Sequence, residues 1–328
     1  MTLRVAVLGL GRIGSSYDEG RRGGHVPRSH VGAILRNPAW ELVGVCDSDA
    51  GSRARFRRDW GDQVPAYGSI AQLLSRITAD VFVVATPAES HRRVIAGLVD
   101  ARPRLIFCEK PFCATLKDAL ATRALAARRR VPVIVNFHRR WDARFQRLAS
   151  RFRSLGPPAF VQVIYRKGLM NYGSHTVDLL QFFFGSVTRV EAERTRSRLA
   201  DPSYSATLTF AGGLKARMSG VDAARYELMD IEILYPDRKF RLGLGGFSVE
   251  MFQPERRRDL PGYVTLPERG TTVARGTVSG LAEAYREIPK IIRGTSRVDS
   301  ATPSSAVKVH RVLRAIRASA QRGRAVVP

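Results

Sequence analysis

Residues 4–14 read RVAVLGLGRIG, an apolar strand that runs straight into Gly9, Gly11 and Gly14, with Arg12 and Ile13 inside the turn. Each glycine has a mechanical reason. The first permits a tight turn, the second lets the backbone approach a pyrophosphate, and the third allows the following helix to pack closely on the strand. The helix N-terminus then presents free N–H groups to the phosphates. Gly9, Gly11, Arg12, Ile13 and Gly14 are therefore the expected contacts of a dinucleotide.

Three strand ends downstream agree. A second apolar strand, ELVGVC at residues 41–46, ends at Asp47, whose carboxylate can accept from the adenosine ribose hydroxyls and repels a 2′-phosphate, favouring NAD over NADP. Arg53 or Arg55, swinging toward the ribose, would reverse that preference. Asp47 lies 33 positions after Gly14, where about 20 is usual. The 13 residues 16–28, SYDEGRRGGHVPR, account for the excess as a loop interrupting the first helix. Two readings of that loop stand: a flap beside cofactor or substrate, with Gly20, Gly23 and Gly24 for freedom and Arg21, Arg22 and His25 for an anion, or a passive exposed insertion. A third strand runs into Thr86-Pro87 and His91, and a fourth into Glu109-Lys110-Pro111. Ligands of open parallel sheets gather at such strand ends.

Strands near residues 3–8, 41–46, 81–85, 104–108 and 131–135 alternate with helical stretches, predicting a Rossmann-type, doubly wound parallel sheet over residues 1–137. Thr115-Leu-Lys-Asp118 reads as a capping-box variant opening a helix, and a later helix stops at Gly156-Pro157-Pro158. From residue 159 the pattern becomes period two in AFVQVIY, YSATLTF, LKARMSG and YELMDIEILY. Residues 138–328 are accordingly expected to form a substrate-binding and oligomerisation domain with a mostly antiparallel open sheet. In residues 159–165 both faces carry apolar groups, which points to a homo-oligomer, a dimer or tetramer, covering the sheet's outer face.

Composition narrows the class. The 328 residues are 44% hydrophobic, enough for two cores. No apolar run approaches the roughly 18 residues of a membrane span. Three cysteines, Cys46, Cys108 and Cys113, suit a reduced, cytoplasmic protein. The net charge of +25 raises the question of nucleic acid, but it is spread: 21 basic and 12 acidic residues fall within residues 1–137, and 33 and 17 after them. Only seven of the 54 basic residues are lysine, an arginine bias of the kind a GC-rich genome gives. Neither a nucleic-acid nor a membrane partner is expected, and no residue spacing suggests a metal site.

Against that arginine background Lys110 stands out. An amine, unlike a guanidinium, can be tuned to exchange a proton near neutral pH. His175, in Asn171-Tyr172-Gly173-Ser174-His175, precedes an apolar helix at residues 176–184.

Gly9, Gly11, Gly14, Asp47, Thr86-Pro87, His91, Glu109-Lys110-Pro111 and Asn171-x-Gly173-x-His175-x-x-Asp178 together resemble the glucose-fructose oxidoreductase / inositol dehydrogenase / MocA family of nicotinamide-dependent oxidoreductases. The resemblance runs through to a helix near residues 304–321. It implies hydride transfer between nicotinamide and a secondary alcohol or ketone, with Lys110 hydrogen-bonded to the reacting oxygen and His175 as acid/base. Asn171 departs from the aspartate that many members carry, and an amide cannot take a proton as a carboxylate can. Its expected role is positioning, and Asp178 is read as structural. Cofactor contacts extend to Thr86, Pro87, His91, Glu109 and Lys110. Substrate contacts are expected at Lys110, Arg139, Arg140, Tyr165, Asn171, Tyr172 and His175, a set of aromatic and polar groups that suits a sugar, activated sugar or cyclitol. Two other readings are an NAD-dependent glycosidase of the same fold and a non-catalytic dinucleotide-binding sensor or scaffold.

Overall fold

The computed structural model describes residues 2–20, 26–197, 199–222, 226–275, 280–296, 298–299 and 301–328. They divide into two units, Met1–Gln146 with Val278–Val307, and Arg147–Thr277 with Lys308–Pro328.

In the first unit β1 (Leu3–Leu8), β2 (Trp40–Cys46), β3 (Ala66–Tyr67), β4 (Val81–Val84), β5 (Leu105–Cys108) and β6 (Val133–Val135) pair in parallel, in the order β3-β2-β1-β4-β5-β6. β4 and β5 are buried at every position, as apolar runs are when helices cover both faces of a sheet. The strand order reverses between β1 and β4. Gly9, Asp47, Thr86 and Glu109-Lys110 therefore follow the carboxyl ends of β1, β2, β4 and β5 at the edge where such sheets take ligands. Close approach dictates two of the glycines. A Cβ on Gly9, whose φ is +95°, would lie 2.6 Å from the Ala85 carbonyl oxygen, and one on Gly14 would lie 1.9 Å from the Gly9 oxygen.

The α-helices that connect these strands are α1 (His30–Leu35), α2 (Ala50–Trp60), α3 (Ile70–Leu74), α4 (Ala88–Leu98) and α5 (Leu116–Arg129). Ser29, Asp49, Ser69 and Thr115 cap four of them, each accepting from an N–H three residues on. At the Thr115 cap, the Asp118 carboxylate accepts the threonine hydroxyl at 2.7 Å, so the box closes between side chains. The interruption of the first helix takes a specific form. A π-type turn, Arg12–Ser16, follows β1, so Ser16 is still helical, and α1 begins only at His30. Across the gap, Oδ2 of buried Asp18 accepts from the N–H of Arg28 at 2.9 Å, the N–H of Ser29 at 2.7 Å and the Ser29 hydroxyl at 2.7 Å. Of the proposed flap, Arg21, Arg22, Gly23, Gly24 and His25 lie outside the described residues.

α6 (Ala143–Leu155) carries the chain into the second unit. There β7 (Phe160–Tyr165), α7 (Ser174–Phe184), β8 (Val187–Arg194), β9 (Tyr204–Phe210), β10 (Lys215–Gly220), β11 (Met229–Tyr235), β12 (Arg238–Gly243), β13 (Ser248–Phe252), β14 (Glu255–Arg256), β15 (Val264–Thr265) and β16 (Thr271–Arg275) follow. Eight of these strands form one sheet, β16-β13-β12-β11-β7-β10-β9-β8, antiparallel at every pair except β7 with β10. Alternation in β7 buries Val161, Val163 and Tyr165 and leaves Phe160, Gln162 and Ile164 half-buried. Phe152 of α6 packs edge-on to Phe183 at 5.0 Å and to Phe240 at 5.1 Å at the centre of this core.

α8 (Gly280–Ile292) belongs to the first unit, and α9 (Pro303–Arg322) begins there and ends in the second. The boundary expected between residues 137 and 138 thus differs from the observed division. Aromatic packing is the reason: Trp141 and the α8 residue Tyr285 both lie edge-on to Phe107 of β5 at 5.9 Å, which keeps the turn His138–Trp141 and α8 on the parallel sheet. Among the described residues no helix is long and apolar enough to cross a membrane.

Candidate active site

The carboxyl edge of the first sheet opens into a cavity of about 850 Å³ lined by Gly9, Gly11, Asp47, Thr86, Pro87 and Ser90 among others. A dinucleotide fits this lining on two counts. A Cβ at Gly11 would meet nothing within 4 Å, so the backbone there is open to a ligand. Asp47 is also held in place, its Oδ2 accepting from Leu10 N–H at 2.7 Å and its Oδ1 from Asp49 N–H at 2.9 Å. Arg53 turns its guanidinium onto the carbonyls of Asp47 at 2.7 Å and Ser48 at 3.0 Å, and Arg55 donates to the Ser52 hydroxyl at 2.7 Å. Arg12 is exposed in the turn, whereas Ile13 packs on the apolar core of the unit. The Ile13 side chain thus belongs to the core, which leaves its backbone as the part that could meet a cofactor.

His91 takes a different place from the one expected. It is 1% exposed, with Nε2 2.7 Å from Thr86 O, and Nδ1 3.2 Å from Phe112 O and 3.4 Å from Cys108 Sγ. Burial pushes the Cys108 thiol well above its ordinary range, helped by the nearby Cys113 and Glu109, so the thiol keeps its proton. With S–H donating to Nδ1 and Nε2–H donating to Thr86, His91 ties the turn after β4 to the turn after β5. It braces the crevice and does not line it.

Glu109 is likewise turned inward. Its Oε1 accepts from His30 Nε2 at 3.0 Å and from Asn136 Nδ2 at 2.6 Å, and its Oε2 from the Lys110 N–H at 3.2 Å. Burial acts to raise the carboxyl, but the His30 hydrogen bond and field, the Asn136 hydrogen bond and the Lys110 charge outweigh it and hold the group below its usual range. The Lys110–Pro111 peptide is cis. His138 is kept neutral, chiefly by burial and further by the charges of Arg139 and Lys110. Arg139 and Arg140 are buried, and Arg140 Nη1 lies 3.8 Å from Asp299.

The histidine motif sits in the second unit on a π-type turn, Gly168–Gly173, that leads into α7. Asp201 holds the turn by accepting from Met170 N–H at 2.9 Å and Asn171 N–H at 3.0 Å. Gly168, at φ +82°, leaves the room that Asp201 occupies, since a Cβ there would lie 2.3 Å from its carboxylate. Asn171 is exposed, and Tyr172 stands edge-on to buried His175 at 6.5 Å. The Tyr172 hydroxyl donates to Glu227 at 2.6 Å, and Lys167 pairs with the same carboxylate. Both contacts hold Glu227 below its usual range, the lysine first. Tyr165, expected at the substrate, is fully buried and its hydroxyl is bonded to the backbone of Tyr204 at 2.9 Å and 3.1 Å. It holds β7 to β9 and presents nothing to a ligand.

Within the first unit the structure gathers the glycine turn, Asp47, Thr86, Pro87 and Glu109-Lys110; within the second it gathers Asn171, Tyr172 and His175. Sequence reading missed His30, Tyr285, Glu227 and Asp201. Ser29-His30 was the one available signal, as a cap followed by the first residue of a resumed helix.

Residues 3–137 match the model described as the oxidoreductase family, NAD-binding Rossmann fold, and residues 135–237 match the GFO/IDH/MocA C-terminal domain. A D-apiose dehydrogenase of Paraburkholderia graminis is 29% identical over 192 residues, 53% of this chain and 51% of that protein. Inositol 2-dehydrogenase 1 of Saccharopolyspora erythraea is 29% identical over 234 residues, 65% of each. The matches thus span about half to two thirds of the length of these two relatives. Among solved structures, the WlbA dehydrogenase of Bordetella pertussis in complex with NADH and UDP-GlcNAcA shares the fold, with a TM-score of 0.75, 19% identity, and coverage of 100% of this chain and 99% of that one. Two successive family models, the glycine turn and the Asp47 strand end agree, and the chain belongs to the glucose-fructose oxidoreductase / inositol dehydrogenase / MocA family of NAD-binding oxidoreductases.

Proposed function

We propose that the protein is an NAD-dependent dehydrogenase acting on a secondary alcohol of a sugar, activated sugar or cyclitol. The observation that carries this reading is the position of Lys110, directly after β5 and at the same sheet edge as the glycine turn and Asp47. The named relatives, which act on inositol and D-apiose by their descriptions, support the substrate class. When bound, the nicotinamide supplies hydride exchange. In this reading the Lys110 ammonium stabilises negative charge developing on the carbinol oxygen, and His175 takes the proton that oxygen loses. Asn171 donates an amide that orients the substrate. Tyr172, fixed by Glu227, offers a ring face.

A panel of sugars and cyclitols with NAD and NADP, followed by nicotinamide absorbance and product analysis, tests the reading. Reduction of NAD with one panel member supports it. Glycoside cleavage without net reduction would make the protein a glycosidase, and NAD binding without turnover of any member would make it a sensor.

We also infer that a second copy covers the outer face of the large sheet. Phe160, Ile164 and Leu234 stand half-buried there among Gln162, Glu232 and Arg217, a mixed face suited to pairing with itself. Light scattering after size exclusion reads the mass. Cys46, Cys108 and Cys113 are all buried and unpaired, which suits a reducing, cytoplasmic setting.

A further inference from the structure

Behind Lys110 lies a chain of buried side chains to which the hydride-transfer reading gives no task. Tyr285 on α8 is fully buried, with its hydroxyl 2.9 Å from His30 Nδ1. His30, also 0% exposed, opens α1 and reaches Glu109 through Nε2. Trp141 Nε1 donates to Asn136 Oδ1 at 3.0 Å, which directs the Asn136 amide N–H groups toward Glu109. Five segments thus supply one network.

Its polarity is determined by chemistry. Burial, reinforced by the Glu109 charge, pushes the Tyr285 phenol far above its ordinary range, so it remains an O–H donor. Its hydroxyl meets His30 Nδ1, and because an ionised carboxylate can only accept, it is an N–H at His30 Nε2 that points at Glu109. Asn136 Nδ2 and the Lys110 N–H point at the same carboxylate. A buried carboxylate without such donors is costly to keep charged. With three, it stays charged one residue from the lysine.

We propose that His30 is a positioning residue for the Lys110 amine: backed by Tyr285, it fixes an ionised Glu109 at the base of the lysine and so sets the pH at which that amine exchanges its proton. The proposal rests on Lys110 being the group that meets the reacting oxygen. Titratable and charged groups of the first unit bear on it as follows. Glu109 faces His30, Tyr285 and Lys110, and Lys110 interacts in addition with His138, which is neutral and lies beside Arg139. His30 itself is otherwise enclosed by the ring of Phe107 at 5.3 Å.

The test needs no substrate. Full-length protein is labelled with acetic anhydride across a pH series, and the extent at Lys110 is read by peptide mass spectrometry, with Lys117 as the reference. Glu109→Gln should lower the Lys110 midpoint by about 1–2 pH units, the size expected when a neighbouring opposite charge is lost, and His30→Leu, which removes one of the three donors that fix that charge, should lower it in the same direction by less. His30→Gln, which keeps an N–H for Glu109, should stay close to wild type. Where His30→Leu does not fold, His30→Asn, whose shorter amide falls short of Glu109, carries the same expectation. A folded His30→Leu or His30→Asn protein with an unmoved Lys110 midpoint overturns the proposal, as does an unmoved midpoint in Glu109→Gln. A merely structural His30 would lower thermal stability without moving that midpoint. Absence of dehydrogenase turnover would defeat the functional reading while leaving the labelling result intact, so the two failures are distinguishable.

Discussion

Leu10 donates its N–H to the Asp47 carboxylate at 2.7 Å, so the glycine turn after β1 and the acidic end of β2 are hydrogen-bonded to each other. The carboxylate proposed to meet the ribose also holds the turn proposed to take the phosphates. Replacing it should therefore affect both cofactors, though unequally.

Asp47→Ser is expected to weaken NADH binding about tenfold or more, the effect of losing a hydrogen bond to a charged group. It should also narrow the preference over NADPH, because the repulsion toward a 2′-phosphate goes with the charge. Fluorescence titration of both reduced cofactors checks this. Wild-type protein that binds NADPH as tightly as NADH would defeat the assignment of Asp47.

His91 donates to Thr86 O and stands beside Phe112 O. His91→Leu keeps much of the volume but leaves a buried carbonyl without its donor, at a cost of about 1–3 kcal/mol. A lower urea midpoint should be accompanied by weaker NADH binding, since the two turns that flank the crevice lose their tie. Unchanged cofactor affinity alongside the lost stability would limit His91 to the core.

Lys110→Ala and His175→Ala should each reduce turnover on the order of 10²-fold or more, as for other positioned acid/base groups, while NAD binding persists. Asn171→Asp should fold, since Asn171 is exposed and its N–H is held by Asp201. The added carboxylate should change the pH dependence of kcat. Turnover that survives in both alanine variants would remove the two residues from the chemistry.

His310 on α9 is 5% exposed, and burial lowers its pKa from 6.5 to about 4. Above pH 6.5 neither the folded nor the unfolded chain protonates it, so it has no effect on stability there. Below that value the unfolded chain binds the proton first, and stability falls until the folded histidine also titrates near 4. At 1.36 kcal/mol per pH unit this amounts to about 2 kcal/mol by pH 5. Urea unfolding at pH 7 and pH 5, for wild type and His310→Gln, should show a smaller loss in the variant.

The parallel sheet was legible because β1, β2, β4, β5 and β6 are apolar runs bounded by glycine, proline and charge. β3 is only two residues long, and the Arg238–Gly243 strand carries three charged residues, so neither has a periodic signal. Tyr165 shows the limit of arguing from neighbours in sequence. It stands six positions before Asn171 and ten before His175, yet period two already placed it with Val161 and Val163, facing inward. His30 was obscured for the opposite reason. The insertion separates it from the glycine turn, and its partners Glu109 and Tyr285 lie 79 and 255 residues away.

Through the Asp18 clasp the chain at Arg28 and Ser29 returns to the carboxylate from which it left, so any sequence spliced in between is a branch off one point. Closing a longer branch costs only about 0.6 kcal/mol per doubling of its length. Ser29 keeps its cap on α1 whatever the branch contains, and His30 keeps its place. The position is therefore a natural port for grafting: a peptide tag or reporter spliced between residues 19 and 27 should leave the phosphate turn and the Glu109 network as they are.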